Sequence, residues 1–285
     1  QIFYTAHHGD SWLDEPRLTV FRIDGGEQIE QLMEIVDPGR LFEGIEWRKG
    51  RLFVTLHDNG IQVFDASADT GQLTSLGSLT EGFTNAVEID LDEEGDHAYV
   101  ADGAGGVKIV RVTKGEPMTI LSTVETGALA RHVEYADGRI YTALGGSGVV
   151  VHDVSDPLMP VELGRIEDRG SAQQVAIDGD LLAVAAWSHL ALYDATTLEL
   201  LGTERVRDYA EEEQDLAVDL DGQNIYLGEW LNSWILEYEA GLEAPDLWLN
   251  EPIYDFMPGE AATVTVQVTN RGTRELVISD VNAEP

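Results

Sequence analysis

One pattern recurs five times along this chain and leaves little choice of fold. Each copy has an apolar strand with alternating side chains, a tight turn and a second strand. A loop carrying Gly, Asp or His follows, then a third strand. The first strands read Gly44-Ile45-Glu46-Trp47, Ala86-Val87-Glu88-Ile89, His132-Val133-Glu134-Tyr135, Gln174-Val175-Ala176-Ile177 and Asp215-Leu216-Ala217-Val218. The second strands occupy 52–55, 98–101, 140–143, 182–185 and 225–228. Steps from Ile45 to Val87, Val133, Val175 and Leu216 are 42, 46, 42 and 41 residues. A four-stranded antiparallel sheet with its turns needs about 40–50 residues, the period of β-propeller blades. A lone blade cannot bury its two faces, but stacked neighbours can. Turns such as Asp178-Gly179-Asp180 and Asp221-Gly222 join first and second strands as tight hairpins.

An incomplete sixth unit stands first. Residues 2–5 align with the second strands, 17–23 with the third and 29–35 with a fourth. Its innermost strand would lie before residue 1. Units therefore begin near residues 2, 43, 85, 131, 173 and 214, which predicts an all-β, six-bladed propeller over residues 1–244. Beyond Pro245 the texture changes. Residues 246–250 read either as the outer strand of the last blade or as the first strand of a new domain. Residues 261–269 alternate cleanly through Val264, Val266 and Val268, and Asn270-Arg271-Gly272 makes a turn. Residues 245–285 are expected to form a partial immunoglobulin-like sandwich.

Charge removes whole classes of partner. The chain carries 53 acidic against 17 basic residues, a net charge of −36. Nucleic acid is excluded as a partner, because phosphate neutralisation needs Lys and Arg. Anionic membrane surfaces are disfavoured for the same reason, and no apolar run of about 18 residues suggests membrane insertion. Cysteine is absent, so neither disulfides nor thiol chemistry enter. The acidity has two readings that overlap. One is solubility; the other is a saline or calcium-rich extracellular setting, where counterions screen self-repulsion.

Residues 98–103 (Ala-Tyr-Val-Ala-Asp-Gly) with 106–110 (Gly-Val-Lys-Ile-Val) resemble the LVIVD repeat. So do Val149–Val151 with Asp153-Val154-Ser155-Asp156-Pro157. The resemblance is good near residues 85–165 and weaker at the ends; Asp194-Ala195-Thr196-Thr197 lacks the Asp-Pro step. It implies a bacterial or archaeal propeller, exported or attached to the cell surface, in a family mostly without assigned activity. The tail, with Val268-Thr269-Asn270-Arg271-Gly272 and Leu276-Val277-Ile278, is similar to the choice-of-anchor/ASH group of Ig-like domains. Neither resemblance carries over catalytic residues.

Strand order within a blade places two loop sets on one face, the mouth of the central channel. The set before the innermost strands offers Glu43, Asn85, Arg131, His132, Gln174 and Asp215. The set between second and third strands offers His7, His57, Asp102, Trp187, His189, Glu229 and Trp230. Two functional readings follow. His7, His57 and His132 with Asp102 and Glu229 could ligate a divalent metal, since imidazole and carboxylate suit such ions. Alternatively, Glu43, Asn85, Arg131, His132, Gln174 and Asp215, with Trp187 and Trp230 for stacking, could hold a protein or small polar ligand. The plainer readings are polar loop residues, an Arg131 ion pair, and tryptophans buried against a neighbouring blade.

Several motifs fall away. Residues 90–95 (Asp-Leu-Asp-Glu-Glu-Gly) resemble the start of a calcium loop, but Ala101 stands where its distal Glu belongs and no helices flank it. Asp219-Leu220-Asp221-Gly222 recurs at the same blade position, which favours an acidic hairpin turn. Gly103–Gly106 lies between strands and is no phosphate loop. No nucleophile elbow is present. Carboxylate pairs are too numerous to discriminate anything. The leading expectation is a secreted or surface-displayed binding module within a larger acidic protein. The competing one is a metal-dependent hydrolase of the lactonase or esterase sort, or an oxidase, in which the ion would activate water.

Overall fold

Gly-bearing hairpin turns and period-two alternation give antiparallel blades. The structure is a computed structural model. It describes residues 1–7, 15–24, 28–167, 170–204, 215–222, 224–229, 233–238, 247–249 and 268–270. Blade 1 comprises β1 (Ile2–His7), β2 (Arg17–Asp24) and β3 (Gln28–Val36). Blade 2 comprises β4 (Ile45–Arg48), β5 (Arg51–Thr55), β6 (Ile61–Ala66) and β7 (Leu73–Leu79). Blade 3 runs through β8 (Glu88–Leu91), β9 (His97–Ala101), β10 (Val107–Arg111) and β11 (Thr119–Val124). Blade 4 has β12 (His132–Ala136), β13 (Arg139–Ala143), β14 (Val149–Asp153) and β15 (Val161–Ile166). Blade 5 has β16 (Gln174–Asp178), β17 (Leu181–Ala185), β18 (Leu190–Asp194) and β19 (Leu200–Glu204). Blade 6 has β20 (Asp215–Asp221), β21 (Asn224–Glu229) and β22 (Ser233–Glu237). The architecture is the six-bladed propeller that the repeat predicts, with β1 heading the first blade as a second strand should.

Each interface between successive blades has its own apolar core. Alternation lets one strand serve two of them: Leu52 and Val54 face blade 1, while Phe53 faces blade 3. Likewise Tyr99 and Ala101 pack towards blade 4, and Ala98 and Val100 towards blade 2. Tyr141 and Ala143 join Val175 and Leu182 between blades 4 and 5. Ala183 and Leu190 join Val218 and Leu227 between blades 5 and 6. Burying one such Leu, Ile, Val or Phe side chain contributes about 1.5–3 kcal/mol. The five cores are therefore what holds the ring, not the edge-to-edge ladder of any one blade.

A β-bulge recurs where the third strand meets the fourth, at Val20/Phe21, Val63/Phe64, Ile109/Val110, Val151/His152 and Leu192/Tyr193. It bends the outer strand and adds twist at the same place in five blades. This fixes the true repeat register. Ile45 pairs with Val54, Ile89 with Val100, Val133 with Thr142, Val175 with Val184 and Val218 with Leu227. The equivalent of Ile45 in blade 3 is thus Ile89, not Val87, and in blade 6 it is Val218, not Leu216. A shift of two residues leaves every side chain on its original face, so the apolar pattern cannot detect it.

At the C-terminal end, β23 (Leu247–Leu249) pairs with β24 (Val268–Asn270). The rest of the expected Ig-like segment lies outside the described residues. Among the described residues, no helix is long and apolar enough to cross a membrane.

Candidate functional site

A corner turn links the second and third strands on the channel-mouth face. It closes by Leu56 N–H to Gly60 O (2.8 Å), Asp102 N–H to Gly106 O (2.8 Å), Leu144 N–H to Gly148 O (2.8 Å) and Ala186 N–H to His189 O (2.9 Å). The first corner residue is left-handed in all four blades, with φ of 52° at His57, 54° at Gly103, 59° at Gly145 and 54° at Trp187. Glycine adopts this region freely; other residues lose roughly 1–2 kcal/mol there. The corner is held by the next blade. His57 bridges to Ala86, Gly103 to Ala130 and Gly145 to Ala172 through backbone hydrogen bonds. Two blades therefore retain bulky aromatic or imidazole side chains at a position where glycine suits the backbone better.

Around these corners stand several of the residues read from sequence. His57 Nε2 lies 2.6 Å from Glu43 Oε1. Arg131 donates from Nη1 to Gln173 Oε1 over 3.4 Å and crosses the face of Gly145, where a Cβ would meet its Nε at 2.9 Å. Trp187 stays 39% exposed, as a stacking surface would need. Asn85 packs its side chain against Gly103, and its backbone N–H goes to Asp102 Oδ1 at 2.7 Å. Asp102 is fully buried and accepts from Thr84 N–H as well, with Lys108 Nζ at 3.6 Å. Its oxygens serve its own blade rather than the mouth. Gln174 is half-buried on the inner strand of blade 5. The backbones of Asp215 and Glu229 pair across blade 6; their side chains and Trp230 lie outside the described residues.

Among the described members of the metal set, no three gather at one point. His7 is exposed at the end of β1. Its pairing with Arg17, one step beyond Ala6 with Leu18, makes it the counterpart of Leu56 rather than of His57. His132 is buried at 8% exposure on β12, one strand inward from the corners. Among the described residues, no three His, Asp or Glu side chains could share one metal ion.

The channel itself carries what the sequence reading passed over. By the strand register, an upper tier consists of Gly44, Glu88, His132, Gln174 and Ala217. A middle tier consists of Glu46, Asp90, Glu134, Ala176 and Asp219. Arg48 reaches Glu46 at 3.2 Å and Asp90 at 3.3 Å. Asp90 also accepts from Leu91 N–H and from Tyr135 N–H of the next blade, both at 2.7 Å. Burial, then mutual repulsion, pushes these carboxyls up. Glu46 rises to about 7 through burial and Asp90. Glu88 rises to about 7 through burial, with Glu43, Asp90 and Glu46 adding to it. Glu134 rises to about 9 through burial, with Asp90, Glu46, Asp219 and Glu88 adding to it. Charges from blades 2, 3, 4 and 6 therefore converge on one axis. Burial lowers His132 to about 4, and its Nδ1 is buried without a hydrogen-bond partner.

Gly44 makes room for this arrangement. A Cβ there would stand 2.8 Å from Glu88 Cα and collide with the Glu88 carboxyl. Gly44→Ala is expected to cost about 1–3 kcal/mol, as overpacking does. Chemical denaturation measures it; a neutral result would mean that Glu88 can leave its seat without cost.

A sequence signal for the tiers was present. Glu46, Glu88 and Glu134 each interrupt an otherwise apolar innermost strand. A charge repeated there has no solvent face to occupy except the channel.

Comparison with known proteins bears on fold and repeat. The LVIVD repeat profile matches residues 90–113, the β8–β10 part of blade 3. No curated protein matches the sequence. A solved Lactobacillus plantarum protein superposes with a TM-score of 0.67 at 18% identity, over 84% of this chain and 78% of its own. The periplasmic gluconolactonase of Pseudomonas aeruginosa gives 0.67 at 14% identity, over 84% and 79%. A chain of the nidogen/laminin complex gives 0.58 at 11% identity, over 83% and 88%. At such identities the likeness is one of fold. The chain is a β-propeller that carries an LVIVD repeat.

Proposed function

We propose that this propeller is a binding module, displayed outside the cell, whose channel-mouth face receives a polar ligand or a segment of a partner protein. The observation that carries this reading is the pair of left-handed corners at His57 and Trp187, with φ of 52° and 54°. Blades 3 and 4 use glycine at the same corner, so at this position blades 2 and 5 carry a strain that glycine would relieve. The inference runs from those outliers to a role for their side chains. Blades 2 and 5 lie opposite one another in a six-membered ring, so the two side chains flank the mouth from both sides. The Glu43–His57 pair and Arg131 add a donor and acceptor set between them. The competing hydrolase reading needs three ligating side chains about one point, and the described residues offer no such set.

The double variant His57→Gly/Trp187→Gly tests this. Relief of two strained backbones is expected to leave the melting temperature equal or higher, because glycine suits φ near 50°. Ligands captured from peptide and glycan arrays by the parent protein should weaken at least tenfold with the variant. Retained binding, or a parent that captures nothing, would overturn the proposal.

A further inference from the structure

The axial channel, rather than the rim, tells which ligand chemistry the mouth would admit. Its two tiers hold Glu46, Glu88, Asp90, Glu134 and Asp219, and among the described residues the cation paired with them is Arg48. Arg48 uses its guanidinium to reach Glu46 and Asp90 together. Those two carboxylates are thereby already served, from the hairpin end of the channel. Glu88 shares β8 with Asp90, while Glu134 and Asp219 lie on β12 and β20; none of the three has an ion pair among the described residues. Asp219 and Ala217 are exposed, so the tiers are open to water from blade 6.

A second observation is independent of this acidity. His132 shares its strand face with Glu134 and its tier with Glu88 and Gln174. Its ring is more than nine-tenths buried, yet Nδ1 has no partner. A buried unpaired nitrogen costs about 1–3 kcal/mol, so a hydrogen-bond partner is missing at this point. Neutral imidazole with its proton on Nε2 presents Nδ1 as an acceptor.

Hard metal ions do not fit this arrangement. They need several oxygens converging within about 2.0–2.6 Å of one centre, and no three candidate side chains meet that demand among the described residues. The tiers are two residues apart on each strand, about 6.6–6.8 Å. An alkylammonium does not need converging oxygens, because each N–H can point to a different acceptor at about 2.7–2.9 Å. A linear chain of methylenes can then lie between the tiers.

We infer that the channel mouth takes a primary alkylammonium group, which donates to His132 Nδ1 and to the carboxylates of Glu88 and Glu134. The group could be carried by a free polyamine or by a lysine side chain of a partner peptide. The inference rests on the mouth being the binding face and names the class of ligand it would select.

Titration calorimetry with spermidine tests it at pH 9, where Glu88 is ionised and Glu134 titrates, and at 0.15 M salt, beside a short peptide carrying one lysine. One-to-one binding is expected, weakened at least tenfold by Glu134→Gln and by His132→Leu and unchanged by the surface variant Glu162→Gln. Spermidine tighter than the peptide would indicate a free polyamine; the reverse would indicate a protein segment. Absent binding of both, many weak sites that vanish with salt, or equal losses from Glu162→Gln would overturn the inference. The rim variants at His57 and Trp187 separate the two readings. If amines fail while array ligands still depend on the rim, only the ammonium assignment falls.

Discussion

Asp102→Ala should lower the stability of the protein by about 3–5 kcal/mol, the range for leaving a buried charge without its partner. Asp102 is fully buried; its Oδ1 accepts from Thr84 N–H at 2.8 Å and Asn85 N–H at 2.7 Å, and its Oδ2 shares the Thr84 N–H at 3.0 Å. Lys108, itself almost buried, stands 3.6 Å away and donates to Gly105 O. Alanine would strand two backbone donors and one ammonium together. Each unsatisfied donor alone costs about 1–3 kcal/mol. The segment tied down is the entry to β8, and the next residue, Gly103, bridges to Ala130 of blade 4. Loosening therefore spreads to two interfaces. Asp102→Asn keeps one acceptor but turns an N–H₂ group towards a donor, so it should fall between. Urea unfolding followed by tryptophan fluorescence would show a lower midpoint at similar slope. A loss below about 1 kcal/mol would mean that water replaces the carboxylate.

Asp102 also marks where sequence reasoning reaches its limit. It departs from the repeat, since Leu56 and Leu144 occupy its place in blades 2 and 4. Departure from a repeat reads as function, and so Asp102 joined the candidate metal ligands. The cause is local instead: blade 3 caps its entry segment with a side chain. His57 and Trp187 depart from the repeat too, and nothing in one sequence separates them from Asp102. Their difference is a backbone angle and an exposure, which are properties of the folded chain. The blades were legible because strand alternation and Gly turns are short-range signals. The channel tiers were less so, because Glu46, Glu88 and Glu134 align in sequence, whereas hydrogen-bond register pairs Glu46 and Glu134 with Asp90. A slip of two residues preserves polarity and changes neighbours. Only pairing between β8 and β9 resolves it.

Those neighbours set the second large effect: the protein should become more stable as pH falls from 9 towards 5. Glu134 sits near 9 in the folded state, and Glu46 and Glu88 near 7, against an ordinary value of 4.5. A raised carboxyl keeps its proton in the folded chain and gives it up on unfolding. Its contribution is therefore whole below pH 4.5 and lost as pH rises through the folded value. Between pH 9 and 7 the loss belongs mainly to Glu134; below 7 all three respond. His132 opposes them. Its folded value near 4 lies under the ordinary 6.5, so its contribution is whole above 6.5 and lost as pH falls through about 4. Three carboxyls against one imidazole leave a net gain on acidification down to about pH 5. Each unit of displacement is worth about 1.4 kcal/mol at most, and channel water reduces it; Glu46 keeps 30% of its side chain accessible. A gain of about 2 kcal/mol from pH 9 to 7 is expected. Glu134→Gln mimics the protonated form, so it should stabilise by at least that amount at pH 9 and be close to neutral at pH 5. Denaturant melts at pH 9, 7 and 5 on both proteins decide this. Stability that falls on going from pH 9 to 7, or a destabilising Glu134→Gln at pH 9, would mean that the channel carboxylates are ionised and offset by cations. An ammonium ligand would produce that outcome when bound, so the melts should be run with and without spermidine. The amine should steepen the alkaline side upwards, because only ionised Glu88 and Glu134 can receive it.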